Sequence, residues 1–158
     1  LNAQVHVQTY SQFMDGAHLR QVLPDYDIVI DATDKLENKF LINDVCVSAE
    51  KPFVHGGITG FSGQVMTYVP EKGPCYRCIF GEVPEDNAPA PIPVIGVTAG
   101  IIGTIQAAEA IRYLLGIPSL LTGKLLVLDG LRMQFRTVPF PHVSEHCPLH
   151  TRKGVTDL

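Results

Sequence analysis

Hydrophobic and polar positions follow two periods in turn along the chain, and their order predicts the fold class. Residues 5–9 alternate at every second position, which predicts a short strand. A helical spacing follows from Ser11, the expected N-cap, to about Leu23, and Pro24 is expected to end that helix. The run 27–32 is apolar and β-branched but too short for a helix, so it predicts a buried strand.

The same order then repeats, which is typical of parallel βαβ units and predicts an α/β fold. Apolar residues share one face of a helix over about 35–50, and residues 52–55 predict the next buried strand, which Gly56 and Gly57 are expected to break. The remaining predicted elements are a strand over 64–69 antiparallel to its neighbours, a long helix over 96–115, and a hairpin of strands 124–128 and 133–138 around Asp129-Gly130.

Composition narrows the class of protein. A chain of 158 residues with 46% hydrophobic and 18% charged residues is long enough for one domain with a real core, so residues 1–158 are expected to form a single domain. The net charge of −4 gives no support to nucleic-acid or membrane-surface binding. No secretory signal or membrane-spanning stretch can be recognised, and a soluble cytoplasmic protein is the expectation. The first residue is not Met, which indicates a fragment or a processed chain.

Two acids separated by small residues follow the second predicted strand. Asp31 ends the apolar run and Asp34 comes three residues later. Ligands of open α/β sheets bind at the carboxyl ends of the strands, and a carboxylate there can hold Mg²⁺ together with phosphate oxygens. The alternative from the residues alone is that Asp31 or Asp34 only caps the next helix, since Asp is a preferred N-cap.

Two pairs of potential metal ligands have the same spacing. Cys75 and Cys78 are separated by two residues on a Gly-Pro turn, and Cys147 and His150 have the same gap near the end of the chain. Four such ligands predict a tetrahedral structural zinc site that ties the tail to the domain. The alternative is a redox-active dithiol at Cys75 and Cys78. His150 is the least secure ligand of the set.

Three further features are interpreted as structural. Cys46 lies between valines on a predicted helix and is expected to be a buried, inert thiol. His55 precedes the two glycines and is expected to be a satisfied core histidine. The acidic, proline-rich stretch 81–93 is expected to be a mobile surface loop.

Taken together, the motifs resemble the ThiF/MoeB/HesA family of E1-like adenylyltransferases. They run across nearly the whole chain in the family's order, and the Cys-x-x-Cys followed by Gly-Val-Thr is most similar to the HesA or MoeB branch. The residues that carry the resemblance are Asp31-Ala-Thr-Asp34 before a helix with Asn43-Asp44, Pro52-Phe-Val-His-Gly-Gly57, Pro74-Cys-Tyr-Arg-Cys78, Gly96-Val-Thr-Ala-Gly100, Gln106-Ala-Ala-Glu109, and Leu128-Asp-Gly130 before Cys147 and His150.

The resemblance implies a Rossmann-like mixed sheet flanked by helices and an ATP-dependent reaction. In that reaction ATP adenylates the C-terminal glycine carboxylate of a ubiquitin-like sulfur carrier protein of the ThiS or MoaD type and releases pyrophosphate. Asp34 matches the family's catalytic acid that positions Mg²⁺ on the triphosphate. The resemblance also implies a twofold homodimer, and the glycine stripe of helix 96–115 would serve either the core or the dimer seam.

The chain departs from the family pattern at several positions. The glycine-rich nucleotide loop lies upstream of anything in this sequence, so residues 1–158 match the C-terminal part of such an adenylation domain, and the fragment alone is expected to be inactive. Lys35 replaces the usual Asn and Lys39 the usual Arg, which keeps the charge but not the bidentate geometry. Residues 87–91 read Asn-Ala-Pro-Ala-Pro where many members carry a reactive Cys, so a covalent role for a cysteine is not expected.

Two other classes of function compete with adenylation. A non-catalytic, zinc-containing module that docks a ubiquitin-like partner would tolerate the loss of Asp34, whereas an adenylating enzyme would not. A dinucleotide-dependent oxidoreductase is the weaker alternative, because no hydride-transfer residues accompany the α/β pattern.

Overall fold

A computed structural model describes residues 2–82 and 93–150. The part described consists of a mixed sheet with helices on both faces. Its elements are α1 (Gly16–Val22) with a short 3-10 helix (Leu23–Asp25), β1 (Val29–Asp31), α2 (Leu36–Ser48), β2 (Phe53–Thr59), β3 (Ser62–Tyr68), α3 (Tyr76–Phe80), α4 (Gly96–Leu114), β4 (Lys124–Asp129) and β5 (Gln134–Pro139).

The five described strands form one sheet in the order β1-β2-β3-β4-β5. β1 and β2 are parallel and are connected through α2, as in a βαβ unit, whereas β2, β3, β4 and β5 pair antiparallel in succession. The mixed sheet, the antiparallel β3 and the final hairpin are therefore confirmed. Asp31 is in register with His55 on β2, so the ends of the two parallel strands lie side by side.

The two faces of the sheet bury different side chains, because successive residues of a strand point to opposite faces. Phe53 and Met66 pack with α2 and α3, and their neighbours Val54 and Val65 pack with Ile102 of α4. The described fold is thus a three-layer arrangement in which α2 and α3 cover one face and α4 the other. Alternation along each strand therefore decides which side chains face α2 and α3 and which face α4.

The first residues differ from their predicted structure. No strand forms over residues 5–9, and Val5 and Val7 are 60% and 73% exposed. Period-two spacing needs a neighbouring strand to pair with, and the described sheet offers none there. The following helix begins at Gly16 rather than after Ser11, because the Asp15 carboxylate accepts hydrogen bonds from the amides of residues 17 and 18 and caps it.

One predicted helix end is confirmed and one predicted strand end was wrong. α1 ends at Val22 with Leu23 as its C-cap, directly before Pro24, and Pro24 lies in the first turn of the short 3-10 helix, where a proline needs no amide partner. β2 continues through Gly56 and Gly57 to Thr59, so these glycines do not break the strand. A Cβ at Gly56 would overlap the amide of Gln106, and the glycine therefore lets α4 approach the strand closely.

The predicted strand 64–69 and helices 35–50 and 96–115 are confirmed as β3, α2 and α4. The predicted loop over 81–93 and the Asn-Ala-Pro-Ala-Pro segment fall almost entirely on residues 83–92, outside the described residues. Among the described residues, no helix combines the length and apolar character needed to cross a membrane.

Candidate functional site

Asp31 closes β1 as a buried carboxylate, only 1% exposed. Its Oδ1 accepts hydrogen bonds from the backbone amide of Thr33 at 3.0 Å and from the Thr33 hydroxyl at 2.7 Å. This is an Asx turn, in which a side chain fixes the backbone two residues further on. The turn takes the chain from the buried strand end to the exposed residues that precede α2.

Two nitrogen donors meet the other oxygen of the same carboxylate. The Nζ of Lys39 lies 3.2 Å and the Nδ1 of His55 lies 2.9 Å from Asp31 Oδ2. Lys39 also donates to the carbonyl of Gly56 at 2.7 Å, which links α2 to both parallel strands. We call Asp31, Lys39 and His55 the strand-end cluster.

The contacts of His55 fit a neutral ring, in which one nitrogen donates and the other accepts. Nδ1 lies 2.9 Å from the Asp31 carboxylate, to which it can donate, and Nε2 lies 3.3 Å from the amide nitrogen of Gln64, from which it can accept. Burial lowers the pKa of His55, and the Lys39 charge lowers it further against the opposing effect of Asp31. The ring is therefore a satisfied core histidine, as the sequence predicted.

The two charged members of the cluster compensate each other. Burial raises the pKa of Asp31, but the hydrogen bond from His55, the Lys39 charge and the bonds from Thr33 outweigh it and hold the pKa at about 2. Burial lowers the pKa of Lys39, and the charges of Asp31 and Asp34 partly oppose that shift. One negative and one positive charge are thus buried together beside a neutral imidazole.

Asp34 is exposed, in contrast to Asp31. The N-cap of α2 is Lys35, and no side chain caps that helix. The capping alternative is therefore wrong for both acids, and within the described residues no hydrogen bond occupies the Asp34 carboxylate. A hard oxygen ligand at the carboxyl end of a parallel strand has the chemistry that Mg²⁺ requires.

Gln106 of α4 supports the strand ends from the opposite face. Its Nε2 donates to the carbonyl of Asp31 at 2.7 Å and to that of Val54 at 3.2 Å, and the side chain is 3% exposed. The end of β1 is held by α2 on one face and by α4 on the other.

The four predicted metal ligands converge in the fold. The ligand atoms of Cys75, Cys78, Cys147 and His150 all lie within 4.8 Å of one another. The Sγ of Cys75 is 3.7 Å from the Sγ of Cys78 and 3.7 Å from that of Cys147, too far for a disulfide. Each pair forms the same tight turn, because the Cys78 amide donates to Cys75 and the His150 amide donates to Cys147. We call these four residues the thiol-imidazole cluster.

One atom of the thiol-imidazole cluster fits a metal particularly well. His150 Nε2 is buried and is the one buried side-chain nitrogen or oxygen atom of the described residues without a hydrogen-bond partner. A buried polar atom needs a partner, and the surrounding thiols supply three further ligands of the kind that zinc prefers. Three cysteines and one histidine at these distances have the composition of a structural zinc site.

Contacts between α2 and α3 connect the two clusters. The Tyr76 amide donates to Asn43 Oδ1 at 2.8 Å, and Arg77 forms a bidentate ion pair with Asp44 at 2.6 and 2.7 Å. The Tyr76 ring lies 4.6 Å from the His55 ring, centroid to centroid. The turn that carries Cys75 therefore packs directly against the side chains that hold Asp31.

The sequence did not indicate the roles of Lys39 and Gln106. Both residues are buried, at 8% and 3% exposure. The motifs single out Lys39 as a replacement for the family's usual Arg and include Gln106, but they do not tell which carboxylate or carbonyls these side chains meet. Cys46, in contrast, is buried with a pKa raised to about 12 by burial, in agreement with an inert thiol.

Comparison with known proteins connects this arrangement to a family. A family model described as the ThiF family matches residues 1–149. The SAMP-activating enzyme E1 of Haloferax volcanii is 40% identical over 164 residues, covering 100% of this chain and 59% of that enzyme. The adenylyltransferase and sulfurtransferase MOCS3 of Culex quinquefasciatus is 38% identical over 141 residues, covering 87% of this chain and 32% of that protein.

Solved structures agree on the fold. E. coli MccB with ATP superposes with a TM-score of 0.77 at 21% identity, over 94% of this chain and 46% of that chain. Identity at that level carries the fold alone, and it confirms the predicted fold class. The chain spans only part of each protein it matches, 59% of the Haloferax enzyme and less of the others.

Proposed function

Because the chain belongs to the ThiF family, as its motifs predicted, we propose that it is part of an E1-like adenylyltransferase. In the proposed reaction the C-terminal glycine carboxylate of a ubiquitin-like sulfur carrier protein attacks the α-phosphate of ATP, and pyrophosphate leaves. The observation that carries the proposal is the exposed carboxylate of Asp34 beside the buried, charge-compensated end of β1. The names of the Haloferax and Culex relatives support the same chemistry.

Asp34 has the catalytic role in this proposal. Its carboxylate would hold Mg²⁺ at the carboxyl end of β1, where the Asx turn of Asp31 directs it out of the core. Bound Mg²⁺ neutralises the negative charge on the phosphate oxygens. Lys35 and Lys39 replace the family's usual Asn and Arg. In this proposal Asp34 therefore contributes more to positioning the triphosphate than its family counterpart does.

The proposal also assigns the domain. Residues 1–158 would be a single domain, the C-terminal part of an adenylation domain whose glycine-rich nucleotide loop is not among these residues. A chain without that loop lacks the backbone amides that cradle phosphates. The isolated chain is therefore expected to bind ATP weakly, and its activity should be measured in the full-length gene product.

Zinc at the thiol-imidazole cluster has a structural role in the proposal. The four residues would supply all the ligands that a structural zinc site requires, so zinc held there would stabilise the fold rather than bind substrate. The unpartnered Nε2 of His150 supports its inclusion as the fourth ligand. Metal there would hold the segment 147–150 against α3.

A twofold homodimer and a cytoplasmic location complete the proposal. The glycine stripe of α4 does not face the core, since a Cβ at Gly96, Gly100 or Gly103 would meet nothing within 4 Å. Ile111 and Leu114 extend that exposed face at 56% exposure each. The exposed, weakly polar face supports α4 as the dimer seam, and sedimentation equilibrium of an Ile111→Glu variant would test it.

ATP–pyrophosphate exchange tests the central proposal. The full-length protein is incubated with ATP, labelled pyrophosphate and candidate carrier proteins that end in Gly-Gly. Carrier-dependent exchange is expected, and Asp34→Asn should lower it by at least about 100-fold, because it removes the charge that holds Mg²⁺. Asp27→Ala is the matched control: Asp27 is an exposed acid before the opposite end of β1, and exchange should be unchanged.

The outcome also distinguishes the docking alternative. If a folded, zinc-containing protein binds a carrier but catalyses no exchange, and Asp34→Asn leaves carrier binding unchanged, then the protein is a docking module. Exchange that survives in Asp34→Asn would refute the catalytic role of Asp34 while leaving the adenylation reaction in place.

A further inference from the structure

We propose that Asp31 is a positioning residue that keeps the Lys39 ammonium away from Asp34, so that Asp34 stays available to a divalent cation. This inference rests on the proposed function, because it concerns the same metal-binding carboxylate. It assigns a role to an ion pair that the reaction itself does not use.

The first argument is the placement of Lys39. The two carboxylates whose charges act on its ammonium group are Asp31 and Asp34. Lys39 Nζ donates to Asp31 Oδ2 at 3.2 Å and to the Gly56 carbonyl at 2.7 Å, and its side chain is 9% exposed. Both acceptors belong to the strand ends, so the ammonium group is held over the sheet and its charge is compensated there. Without the Asp31 charge, Asp34 is the remaining anionic partner.

The second argument is the inability of the neighbours to replace that charge. His55 is neutral and offers its Nδ1 proton to the same Oδ2 atom, so it competes with Lys39 as a donor. Gln64, on the far side of the ring, is an uncharged amide. No other anion contacts Lys39 among the described residues. Asp31 is therefore the anion that holds the ammonium group at the strand ends, and the Gly56 carbonyl is a neutral second acceptor.

Asp31→Asn separates the charge from the shape. The amide oxygen of the new side chain can still accept both bonds from Thr33, which keeps the Asx turn. Its NH₂ group then faces Lys39 Nζ, which has no acceptor, so this hydrogen bond is lost and the ammonium group is repelled; His55 can accept from the NH₂ group only in its other tautomer. Lys39 is expected to turn toward Asp34 and to compete with the divalent cation for it.

The test is Mn²⁺ binding, followed by electron paramagnetic resonance, to the full-length protein with ATP present. Asp31→Asn should weaken Mn²⁺ binding on the order of tenfold, because the Lys39 ammonium group, once it lies beside Asp34, stabilises that carboxylate in its metal-free form. The Mg²⁺ concentration for half-maximal pyrophosphate exchange should rise by the same factor. Asp31→Asn/Lys39→Gln should restore both values to within about twofold, since the competing charge is gone.

Two single variants act as controls that keep the turn and the charge apart. Thr33→Val removes the hydroxyl bond but leaves the Asp31 charge, so Mn²⁺ binding should not change. Lys39→Gln removes the competing cation and should leave Mn²⁺ binding unchanged or tighter. A tenfold loss in either one contradicts the inference. If Asp31→Asn does not fold, Asp31→Asn/Lys39→Gln is compared with Lys39→Gln: equal Mn²⁺ binding is expected, and tenfold weaker binding in the double variant would show that Asp31 does not act through Lys39.

The outcomes separate this inference from the proposed function. If Asp34→Asn does not weaken Mn²⁺ binding, the role of Asp34 fails and the inference fails with it. If Asp34→Asn weakens Mn²⁺ binding but Asp31→Asn does not, the function stands and the positioning role is wrong. If the double variant is as weak as Asp31→Asn, Asp31 does not act through Lys39 and the inference is overturned.

Discussion

The strand-end cluster and the thiol-imidazole cluster lie against the same face of the sheet, but only one of them is complete. Both oxygens of Asp31 accept hydrogen bonds, and Lys39 supplies the compensating charge from the chain itself. The thiol-imidazole cluster brings three cysteine sulfur atoms together with His150 Nε2, and this nitrogen has no hydrogen-bond partner among the described residues. The charge of Asp31 is therefore compensated within the chain, whereas the buried His150 Nε2 lacks a partner, which a metal ion would supply.

The largest effect is expected from removing a ligand of the incomplete cluster. Cys75→Ser should abolish zinc binding and lower the free energy of unfolding by at least about 5 kcal/mol, since structural zinc sites contribute on the order of 10 kcal/mol. Metal content by mass spectrometry and urea unfolding measure the two effects. A strong chelator should reproduce the loss in the wild type.

The matched control for that experiment is Cys46→Ala. Cys46 is a second cysteine buried on the same face, with no place in the thiol-imidazole cluster. The Cys46→Ala protein should keep its full zinc content, and its free energy of unfolding should fall by only about 1 to 2 kcal/mol because of the small cavity. A wild type that contains no metal and ignores the chelator would refute the zinc site.

The second largest loss of stability is expected from removing Lys39, the cation of the strand-end cluster. Lys39→Met leaves the Asp31 charge buried without compensation, and the free energy of unfolding should fall by about 3 to 5 kcal/mol. Urea unfolding measures it. Lys35→Met, at an exposed lysine four residues earlier, should change it by less than about 0.5 kcal/mol. If the free energy of unfolding fell equally in the two variants, the buried ion pair would contribute no more to stability than an exposed lysine does.

The neutral imidazole predicts a pH dependence. Because the pKa of His55 is lowered in the fold, the unfolded chain takes up a proton near pH 6.5 that the folded chain refuses. Stability should therefore fall by about 1 kcal/mol as the pH drops from 7.5 to 5.5. His55→Gln should remove this component, and His142→Gln, at an exposed histidine, should keep it.

The measurement is urea unfolding at each pH, with zinc content monitored so that loss of metal is not counted as titration. The Asp31 contribution lies in a separate window. Its pKa is held at about 2 in the fold, so its stabilisation is present above about pH 4 and is lost only as the pH falls toward 2. An equal slope for the wild type and His55→Gln between pH 7.5 and 5.5 would contradict the assigned neutral form.

The smallest effect is expected at the Asx turn. Thr33→Val deletes one hydrogen bond to Asp31 and keeps the backbone one, so a loss of about 1 kcal/mol is expected in urea unfolding. Thr104→Val removes a comparable bond on the exposed side of α4 and should cost less than about 0.5 kcal/mol. If Thr33→Val lowered the free energy of unfolding as much as Lys39→Met, the Asx turn would contribute more to stability than the buried charges do.

Local patterns predicted most elements but not the long-range contacts. The periods of α2, α4 and the β4–β5 hairpin are properties of single segments, so the sequence indicated them directly. The strand break expected at Gly56 was wrong, because the glycine serves the close approach of Gln106, which lies fifty residues further along the chain. The strand expected at residues 5–9 failed for a similar reason, since a strand depends on a partner that its own pattern does not contain.

The same contrast holds within the candidate site. Equal spacing made the two halves of the thiol-imidazole cluster visible in the sequence, although only the fold brings them together. The pairing of Asp31 with Lys39 had no comparable signal, because one lysine on a helix does not specify which carboxylate it meets. Asp34 was selected from its motif, and its role awaits the exchange experiment.

The distance along the chain between the halves of the thiol-imidazole cluster makes metal affinity a reporter of the whole fold. Cys75 and Cys147 are 72 positions apart, and α4 and the β4–β5 hairpin lie between them. In a flexible chain, closing a ring of that size costs about 4 kcal/mol of entropy, whereas the fold already holds the two ends together. The effective concentration of one half at the other is correspondingly high. If α4 or the hairpin unfolds, zinc binding should therefore weaken roughly a thousandfold, even though all four ligands are still present in the chain.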